Sequence, residues 1–327
     1  MPQRRWLIVP FTAALVSVPL AHAQTAFETY CTPTDPGLTE LSGMTWGDGT
    51  LYAMGDSGAD DRIAALDEHC GVSRWIPNPV DPFDVEDLTF HDGSLWLADT
   101  GDNDRVRPTI ALTRVDPKDG RGELYRLKYP DGAHDAEAVA IAPNGEIAVI
   151  TKEWSGHSRV YTLSDGHRLA DLASPGPTPL VFVGELVIPE GSNDDAPLVT
   201  GAAMHPDGKT VAIRTYWNAY LYPIGEEGLA HALTHAEPKH LSLPPEPQGE
   251  AIAFDARGDV LIASEAGNRA DAPIPPILIS RSVDVAKPVA SQQTEHHLNW
   301  WWWVLGGIGA VAVLVEGMSI LRPRKRK

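Results

Sequence analysis

Five stretches of the chain repeat one pattern of apolar and polar positions: a short apolar strand, a turn with glycine, and a second apolar strand. The first two, LSGMTWGDGTLYAMGDSG (41–58) and VEDLTFHDGSLWLADTGD (85–102), align without a gap. Three further copies occupy 136–153, 199–216 and 249–266. Two apolar strands joined by an Asn-Gly, Asp-Gly or Arg-Gly turn indicate a β-hairpin.

Further strand-like segments lie between the hairpins, among them TIALTRV, LYRLKYP, SRVYTL, LVFVGELVI, AYLYPI and KHLSLP. Each repeat therefore holds about four strands in roughly fifty residues, the size of a β-propeller blade. The pattern predicts an all-β propeller with five blades, and the longer interval from 153 to 199 leaves room for a degenerate sixth. No helix of useful length is expected outside the termini.

A propeller has to close into a ring, and the last repeat has only one clear outer strand, PILISR at 276–281. The segment AFETYC (26–31) precedes the first hairpin and can supply the missing strand. Cys31 ends this segment, and Cys70 is the other cysteine of the chain. In an exported protein this pair predicts a disulfide bond at the closure of the ring, with two separate buried thiols as the alternative.

The N-terminus has the features of a secretory signal peptide over residues 1–23. Arg4 and Arg5 precede an apolar run to Leu20, and Ala21-His22-Ala23 has the form of a signal-peptidase site. The apolar run is short for a bilayer span of about 20 residues, so cleavage is favoured over anchoring.

The C-terminus has the pattern of a single membrane span. Residues 286–298 form a stalk, Trp300 to Trp303 begin an apolar segment that predicts a transmembrane helix over 299–321, and residues 322–327 form a basic tail. Tryptophan favours the membrane interface, and basic residues favour the cytoplasmic side. We therefore expect a single-pass cell-membrane protein whose propeller, residues 24–285, is extracellular, with the N-terminus outside.

The charge of the chain restricts its partners. The formal net charge is −18 at pH 7, and seven of the 26 basic residues lie in the terminal segments. The propeller is therefore strongly acidic, which disfavours nucleic acid and anionic lipid and favours cations or basic partners.

Two short motifs suggest chemistry that their context does not support. Gly-Asp-Ser-Gly at 55–58 resembles the surroundings of a serine-protease nucleophile, but Ser57 aligns with Gly101 in the next repeat. DGKT at 207–210 resembles the end of a phosphate-binding loop, but it aligns with the other hairpin turns. Both motifs are therefore interpreted as parts of repeated hairpins.

One column of the aligned repeats carries acidic residues. The position that opens each hairpin is occupied by Ser42, Glu86, Glu137, Thr200 and Glu250. Asp84 and Asp135 stand two residues before two of these glutamates, and residues two apart on a strand share a face. If the first strand of each hairpin is the innermost of its blade, the column forms a ring at one mouth of the central channel. Further polar residues are expected close to this mouth: Asp56, Asp99, Asp102, Lys152, Arg214, Tyr216 and Glu265.

Carboxylates that face one another need a positive partner, and oxygen ligands from several blades suit Ca²⁺. The predicted metal ligands are Glu86, Glu137, Glu250, Asp84 and Asp135, and the predicted ligand-binding residues are Asp56, Asp102, Lys152, Arg214 and Glu265. Two alternatives stay open. The glutamates could hold neighbouring blades together by accepting backbone N–H bonds, or they could act directly in catalysis.

The repeats also resemble a family of secreted bacterial β-propellers that are grouped as phytase-like or "esterase-like activity of phytase" proteins. The segments that carry the resemblance are DPGLTELSGM, DVEDLTF, LADTGDN, DAEAVAI, VITKEW, VTGAAMHPDGKTVAIRTY and QGEAIAF. This resemblance implies a propeller fold and export. Two functions follow as hypotheses: a binding module that holds a divalent cation and a small-molecule or protein ligand, or a metal-dependent phosphoesterase or esterase that uses the same mouth.

The terminal segments predict how the protein is placed in the membrane. Protease added to intact cells should digest the propeller and leave an epitope on the basic tail protected. Removal of 299–327 should release the protein into the medium, because the apolar span is the anchor. If the truncated protein stays with the membrane fraction after a salt wash, the assignment of the anchor is wrong.

Overall fold

The computed structural model describes residues 26–56, 59–189, 197–267 and 272–281. The predicted signal peptide (1–23), stalk (286–298), membrane helix (299–321) and tail (322–327) lie outside these residues, as does Ser57. No helix within the described ranges has the length and apolar character that crossing a bilayer requires.

The described ranges contain 21 strands, numbered here in chain order. The first eleven are β1 (Glu28–Cys31), β2 (Leu41–Gly47), β3 (Thr50–Gly55), β4 (Arg62–Leu66), β5 (Val72–Pro77), β6 (Val85–His91), β7 (Ser94–Asp99), β8 (Ile110–Val115), β9 (Gly122–Lys128), β10 (Ala136–Ile141) and β11 (Ile147–Thr151). The others are β12 (His157–Thr162), β13 (Thr178–Pro179), β14 (Val181–Val187), β15 (Val199–Met204), β16 (Thr210–Thr215), β17 (Asn218–Pro223), β18 (Lys239–Ser242), β19 (Gln248–Phe254), β20 (Val260–Glu265) and β21 (Ile277–Ser280). Two 3-10 turns span Pro36–Leu38 and Leu169–Asp171, and one α-helix, α1, spans Gly228–His235.

These strands form five sheets, antiparallel except for the short strand β13 at the edge of one of them, and each sheet is one propeller blade. Blade 1 contains β2 to β5, blade 2 contains β6 to β9, and blade 3 contains β10, β11, β12 and β14. Blade 4 contains β15 to β18, and blade 5 contains β19, β20, β21 and β1. The inner strands β2, β6, β10, β15 and β19 contact one another in that order, and β19 contacts β2. The five-bladed propeller predicted from the repeats is confirmed.

Apolar side chains fill the spaces between successive blades. Among the described residues they form five buried clusters, one for each pair of neighbouring blades. Between blades 1 and 2, for example, Met54 and Ile63 pack with Leu88 and Leu97. Because both faces of a blade are buried in this way, its strands show long apolar runs with few polar interruptions.

The first strand of the chain closes the ring. Strand β1 pairs antiparallel with β21, so that Glu28 lies opposite Ile279 and Cys31 opposite Ile277. Cys31 forms a disulfide bond with Cys70 of blade 1, and the two Cα atoms are 5.6 Å apart. Both predictions about the closure are confirmed. A crosslink that encloses a loop of this length stabilises a folded domain by about 3–4 kcal/mol in the loop-entropy model.

The longer interval from 153 to 199 does not form a sixth blade. Strands β12 and β14 are the two outer strands of blade 3, and the short strand β13 pairs in parallel with β9, on the outer edge of blade 2. The extra residues lie largely between β12 and β14, where the chain leaves blade 3, touches blade 2 and returns.

The helix α1 contradicts the expectation that no helix lies outside the termini. It lies between β17 and β18 and packs against β12 and β14 of blade 3, with Leu229 and Leu233 fully buried. The Glu146 carboxylate accepts the N–H groups of Leu229 (3.1 Å) and Ala230 (3.0 Å) at its first turn. This cap comes from a residue more than eighty positions away, so the local pattern of only eight residues did not indicate the helix.

Each inner strand carries a β-bulge near its start. The pairing with the second strand skips one residue at the same place in all five blades, and the skipped residues are Ser42, Glu86, Glu137, Thr200 and Glu250. A bulge leaves one residue outside the ladder and re-aims its side chain. The aligned column of the repeats is therefore the column of bulge residues.

One buried carboxylate joins three inner strands. Asp87 follows the bulge of blade 2 and accepts the N–H groups of Leu88 (2.8 Å), Val139 (2.9 Å) and Ala202 (3.2 Å), which lie on blades 2, 3 and 4. Burial raises the pKa of Asp87 to about 8, although the three N–H donors oppose the rise. Asp87 is a polar link between blades that the sequence analysis did not identify.

This link predicts that Asp87→Asn destabilises the propeller. The amide presents an N–H₂ group where three backbone N–H groups converge, so we expect a loss of about 1–3 kcal/mol from a buried donor left without an acceptor. The free energy of unfolding can be measured by denaturant titration of the purified protein at pH 9, above the pKa of Asp87, where the side chain of the wild type is an ionised carboxylate. Asp92→Asn, in the exposed turn of the same hairpin, is the control and should have no effect. Equal stability of the two variants would contradict a linking role for Asp87.

Candidate functional site

The five bulge residues lie at one end of the inner strands, and three of them are buried glutamates. Glu86 on β6, Glu137 on β10 and Glu250 on β19 are 6%, 3% and 3% exposed. They come from blades 2, 3 and 5 around the channel. A bulge at each position turns these side chains out of the regular ladder. We refer to this end of the channel as the acidic mouth.

Hydroxyl side chains of the bulge column hold neighbouring blades together. Ser42 donates its hydroxyl hydrogen to the carbonyl of Glu86 (3.1 Å), and Thr200 donates to the carbonyl of Gly249 (3.0 Å). Each bond therefore joins one blade to the next. Among the described residues, no backbone N–H donates to the carboxylate of a bulge glutamate, so the hydroxyl residues provide this adhesion.

Lys152 is the cation within the glutamate cluster. It follows β11 directly, and its Nζ donates a hydrogen bond of 2.6 Å to Glu137 Oε1. The same Nζ lies 5.4 Å from the centroid of the Tyr216 ring. Burial alone would lower the pKa of Lys152, but the charges of Glu137 and Glu250 raise it above the usual value. Lys152 is therefore a permanent positive charge in the acidic mouth.

Glu250 has one buried carboxylate oxygen without a hydrogen-bond partner among the described residues. Its Oε1 accepts a hydrogen bond of 3.2 Å from Gln248, while its Oε2 is buried with no hydrogen-bond partner among the described residues. A buried acceptor without a donor has lost its hydration without compensation. Such an atom indicates a place where a ligand could supply the missing interaction.

Asp84 and Gly101 complete the mouth beside Glu86. A Cβ atom on Gly101 would lie 2.2 Å from Glu86 Oε1 and 2.4 Å from Asp84 Oδ2. Only glycine leaves room for both carboxylates at this point. Burial raises the pKa of Asp84 to about 7, and the neighbouring Asp56 charge contributes to the rise.

Asp135 and Asp102 belong to a network that holds the loop after β7. Asp135 accepts the N–H of Asp102 (2.9 Å), and Asp102 in turn accepts the N–H groups of Val106 (3.0 Å) and Arg107 (2.8 Å). The guanidinium of Arg107 pairs with Asp99 at 2.7 Å, and both side chains are 9% exposed. The sequence analysis missed Arg107, although it is a cation within eight residues of Asp99 and Asp102.

Arg214 does not line the acidic mouth. Its side chain has no exposed surface and pairs with the buried Glu246, while its Nη1 donates to the carbonyls of Ala251 (2.7 Å) and Ala263 (3.0 Å). A Cβ atom on Gly249 would lie 1.9 Å from Arg214 Nη2, so glycine is required there. Arg214 therefore joins blade 4 to blade 5, and the expectation that it binds a ligand is not retained.

The remaining carboxylates of the mouth share one electrostatic environment. Burial, reinforced by the charge of Glu137, raises the pKa of both Glu86 and Glu250 well above the usual value. Burial also raises the pKa of Glu137 to about 7 against the opposing charge of Lys152. The pKa of Glu265 is raised to about 7, by burial and then by Asp56. The mouth is thus a cluster of carboxyl groups that hold protons more strongly than carboxyl groups in water.

The large cavity of the propeller lies at the opposite end of the channel. It has a volume of about 1050 Å³ and is lined by the hairpin turns of all five blades together with aromatic side chains such as Trp46, Phe90 and Phe254. Glu86 is the second residue of β6 and His91 is its last, and this strand length separates the two ends by roughly 17 Å. The cavity is therefore distinct from the acidic mouth.

No protein-family model and no curated protein matches the chain. Similar solved structures include a gluconolactonase from Xanthomonas campestris (16% identity, 80% of this chain and 81% of that chain covered, TM-score 0.44), a streptogramin B lyase (13%, 78% and 97%, 0.39) and a glucose dehydrogenase (10%, 79% and 100%, 0.44). At these values the assignment of the propeller rests on the sheet topology, and no chemistry is transferred. Membership of the phytase-like family stays a prediction.

The raised pKa values predict that stability falls as pH rises. The folded carboxyls of Asp84, Glu137 and Glu265 keep their protons up to about pH 7, whereas in the unfolded chain they lose them near the usual values of 3.8 and 4.5. Between these limits the folded state binds more protons at these three groups, so the stability that they contribute is fully present below their unfolded pKa values and is lost as pH rises through about 7.

Thermal melting between pH 5 and 8 in the presence of a chelator tests this dependence. Glu250→Gln removes one charge from the cluster and should flatten the profile. Glu68→Gln, on a side chain that is 86% exposed, is the control and should follow the wild type. A melting temperature that rises from pH 5 to pH 8 would contradict the assignment.

Proposed function

We propose that this protein is a membrane-anchored binding module whose acidic mouth holds a cation together with a ligand. The observation that carries the proposal is the arrangement of Glu86, Glu137 and Glu250. They are buried at equivalent bulges of three blades, with Lys152 as their partner cation and with Glu250 Oε2 unpaired. Burying several carboxylates reduces stability unless positive charge or protons balance them.

A divalent cation, with Ca²⁺ as the expected ion, suits the donor set of the mouth. The donors are carboxylate oxygens on separate blades, which is the ligand type that Ca²⁺ accepts in flexible geometry. Within the described residues, no three acidic, histidine or cysteine side chains converge as a ready-made metal site. Binding of an ion would therefore require side chains such as Glu86 and Glu250 to adjust. Asp84 lies beside Glu86 and is a further donor, whereas Asp135 already accepts the N–H of Asp102.

The proposed location follows from the terminal segments of the sequence. A cleaved signal peptide, a tryptophan-flanked apolar span and a basic tail are typical of a single-pass protein with its main domain outside the cell. Extracellular fluids that contain free Ca²⁺ at high concentration would suit a weak, multi-blade site. Partners would then be extracellular small molecules or proteins.

A hydrolase is the second candidate, and the pKa values favour it. A general acid or base works best when its pKa lies near the operating pH, and burial raises the pKa of Glu137 and of Asp84 to about 7. Lys152 beside Glu137 could stabilise the negative charge that develops when an ester or phosphoester is attacked. A bound divalent cation would supply Lewis-acid polarisation of the substrate.

Melting in the presence and absence of Ca²⁺ tests the cation site. An ion that binds only the folded state adds about 2.7 kcal/mol of stability at a hundredfold excess over its dissociation constant. We expect a chelator to lower the melting temperature of the purified protein and Ca²⁺ to restore it. Glu86→Gln, Glu137→Gln and Glu250→Gln should each weaken this response, because each removes a charged donor.

Glu68→Gln is the matched control and should keep the full response to Ca²⁺. Melting curves of the wild type that are identical with chelator and with Ca²⁺ would refute the cation site. Turnover of p-nitrophenyl phosphate or p-nitrophenyl acetate that is lost in Glu137→Gln would assign the hydrolase function instead.

A further inference from the structure

Four large apolar side chains are exposed to solvent in loops at the end of the channel that carries the acidic mouth. Phe83 is 69% exposed, Val106 71%, Trp154 76% and Trp217 38%. We call these four residues the apolar rim. The other large apolar side chains that are exposed in the described part of the chain lie on β14, the outermost strand of blade 3.

Short connections tie the rim residues to the carboxylates of the mouth. Phe83 precedes Asp84, and its N–H donates to Asp99 (3.2 Å). The N–H of Val106 donates to Asp102 (3.0 Å). Trp154 stands two residues after Lys152, and Trp217 follows Tyr216, whose ring faces the Lys152 ammonium. The rim is therefore built by loops of blades 2, 3 and 4 at the same end of the channel.

The positive charges at this end already have partners within the protein. Arg107 pairs with Asp99 at 2.7 Å, and Arg105 pairs with Glu153 at 2.9 Å. Lys152 pairs with Glu137 at 2.6 Å. The carboxylates outnumber these cations, and the buried Glu250 Oε2 has no donor among the described residues. A ligand that brings positive charge therefore complements this end.

We propose that the acidic mouth and the apolar rim together bind a basic peptide segment, whose lysine or arginine side chain enters the mouth while its apolar neighbours pack on the rim. The inference rests on the proposed binding function and names the partner that this site takes. Carboxylates recognise ammonium and guanidinium groups, and exposed aromatic faces attract both cations and aliphatic side chains.

One cation within the protein already makes both kinds of contact, to an aromatic ring and to a carboxylate. The guanidinium of Arg107 lies 4.6 Å from the centroid of the Phe83 ring while it pairs with Asp99. A cation held between an aromatic face and a carboxylate is therefore already present at the mouth. Because the rim residues come from three successive blades, a peptide with alternating apolar and basic residues fits them better than a single small amine does.

Fluorescence anisotropy with a labelled probe peptide tests the inference. The protein is the full-length chain in nanodiscs of phosphatidylcholine, and the probe is fluorescein-labelled Leu-Lys-Leu-Lys-Leu-Lys. We expect saturable binding that weakens as salt is raised, because ionic attraction is screened. The corresponding Leu-Glu peptide should not bind, and empty nanodiscs give the background.

Substitutions in the rim and in the mouth test whether the peptide binds at both. Trp154→Ser and Trp217→Ser should each weaken binding of the Leu-Lys peptide about tenfold, in line with the loss of an aromatic anchor. Glu250→Gln should weaken it as well. Val187→Ser removes an apolar side chain that is 53% exposed on β14, and this control should bind as the wild type does. Unchanged melting temperatures of the tryptophan variants show that the propeller is still folded.

Two results would overturn the inference: equal binding of the Leu-Lys and Leu-Glu peptides, or wild-type affinity in both tryptophan variants. The Ca²⁺ response is measured on the same variants and separates this inference from the cation site. Binding that depends on the rim supports the inference with or without a Ca²⁺ response. A normal Ca²⁺ response with no rim-dependent peptide binding overturns the peptide inference alone.

Discussion

The closed ring depends on the antiparallel pairing of β1 with β21. A propeller blade buries both of its faces against its neighbours, so an open ring would expose two apolar blade faces and an unpaired strand edge. Pairing the first strand of the chain with the last described strand removes this break, and the Cys31–Cys70 bond fixes blade 5 to blade 1 beside it. The strand and the disulfide bond thus tie the two ends of the described chain together where blade 5 meets blade 1.

Ring closure brings the five β-bulges together, and the bulges create the electrostatic character of the molecule. One residue of each inner strand leaves the ladder at the same height. In blades 1 and 4 this residue is Ser42 or Thr200, whose hydroxyl bonds to the next blade. In blades 2, 3 and 5 it is a glutamate, whose carboxylate accepts no backbone N–H bond from a neighbouring blade among the described residues. The same backbone feature thus supports either adhesion or a charged site, depending on the side chain.

The cost of burying these glutamates is partly offset within the protein. Lys152 pairs with Glu137, while the pKa values of Glu86 and Glu250 stay raised because burial, and then the charge of Glu137, disfavour their charged forms. Residues that reduce stability in this way are common at binding and catalytic sites. The apolar rim around the same mouth is a second unfavourable feature, since Phe83 and Trp154 hold large apolar surfaces in water. The coincidence of both features at one end of the channel makes that end the functional candidate.

Much of the fold could be predicted from local pattern. The hairpin repeats indicated five blades, the missing outer strand indicated closure by 26–31, and the two cysteines indicated the disulfide bond. These features depend on strand periodicity and turn residues, which are encoded within a few positions. The helix α1 was missed because a distant carboxylate, Glu146, caps it and blade 3 covers its apolar face.

The sequence by itself determined which residues share the acidic column, because the repeats align them at one position of each blade. Only the tertiary structure decided what each member of the site does. In the folded chain Lys152 is hydrogen-bonded to Glu137, and Arg214 is buried between two blades. Asp135 and Asp102 accept backbone N–H groups of the loop that carries Arg107. The tertiary structure also brought the four rim residues to the mouth from four separate loops. The physical reason is that charge pairing and burial depend on distances between blades, and residues on neighbouring blades are about fifty positions apart in the chain.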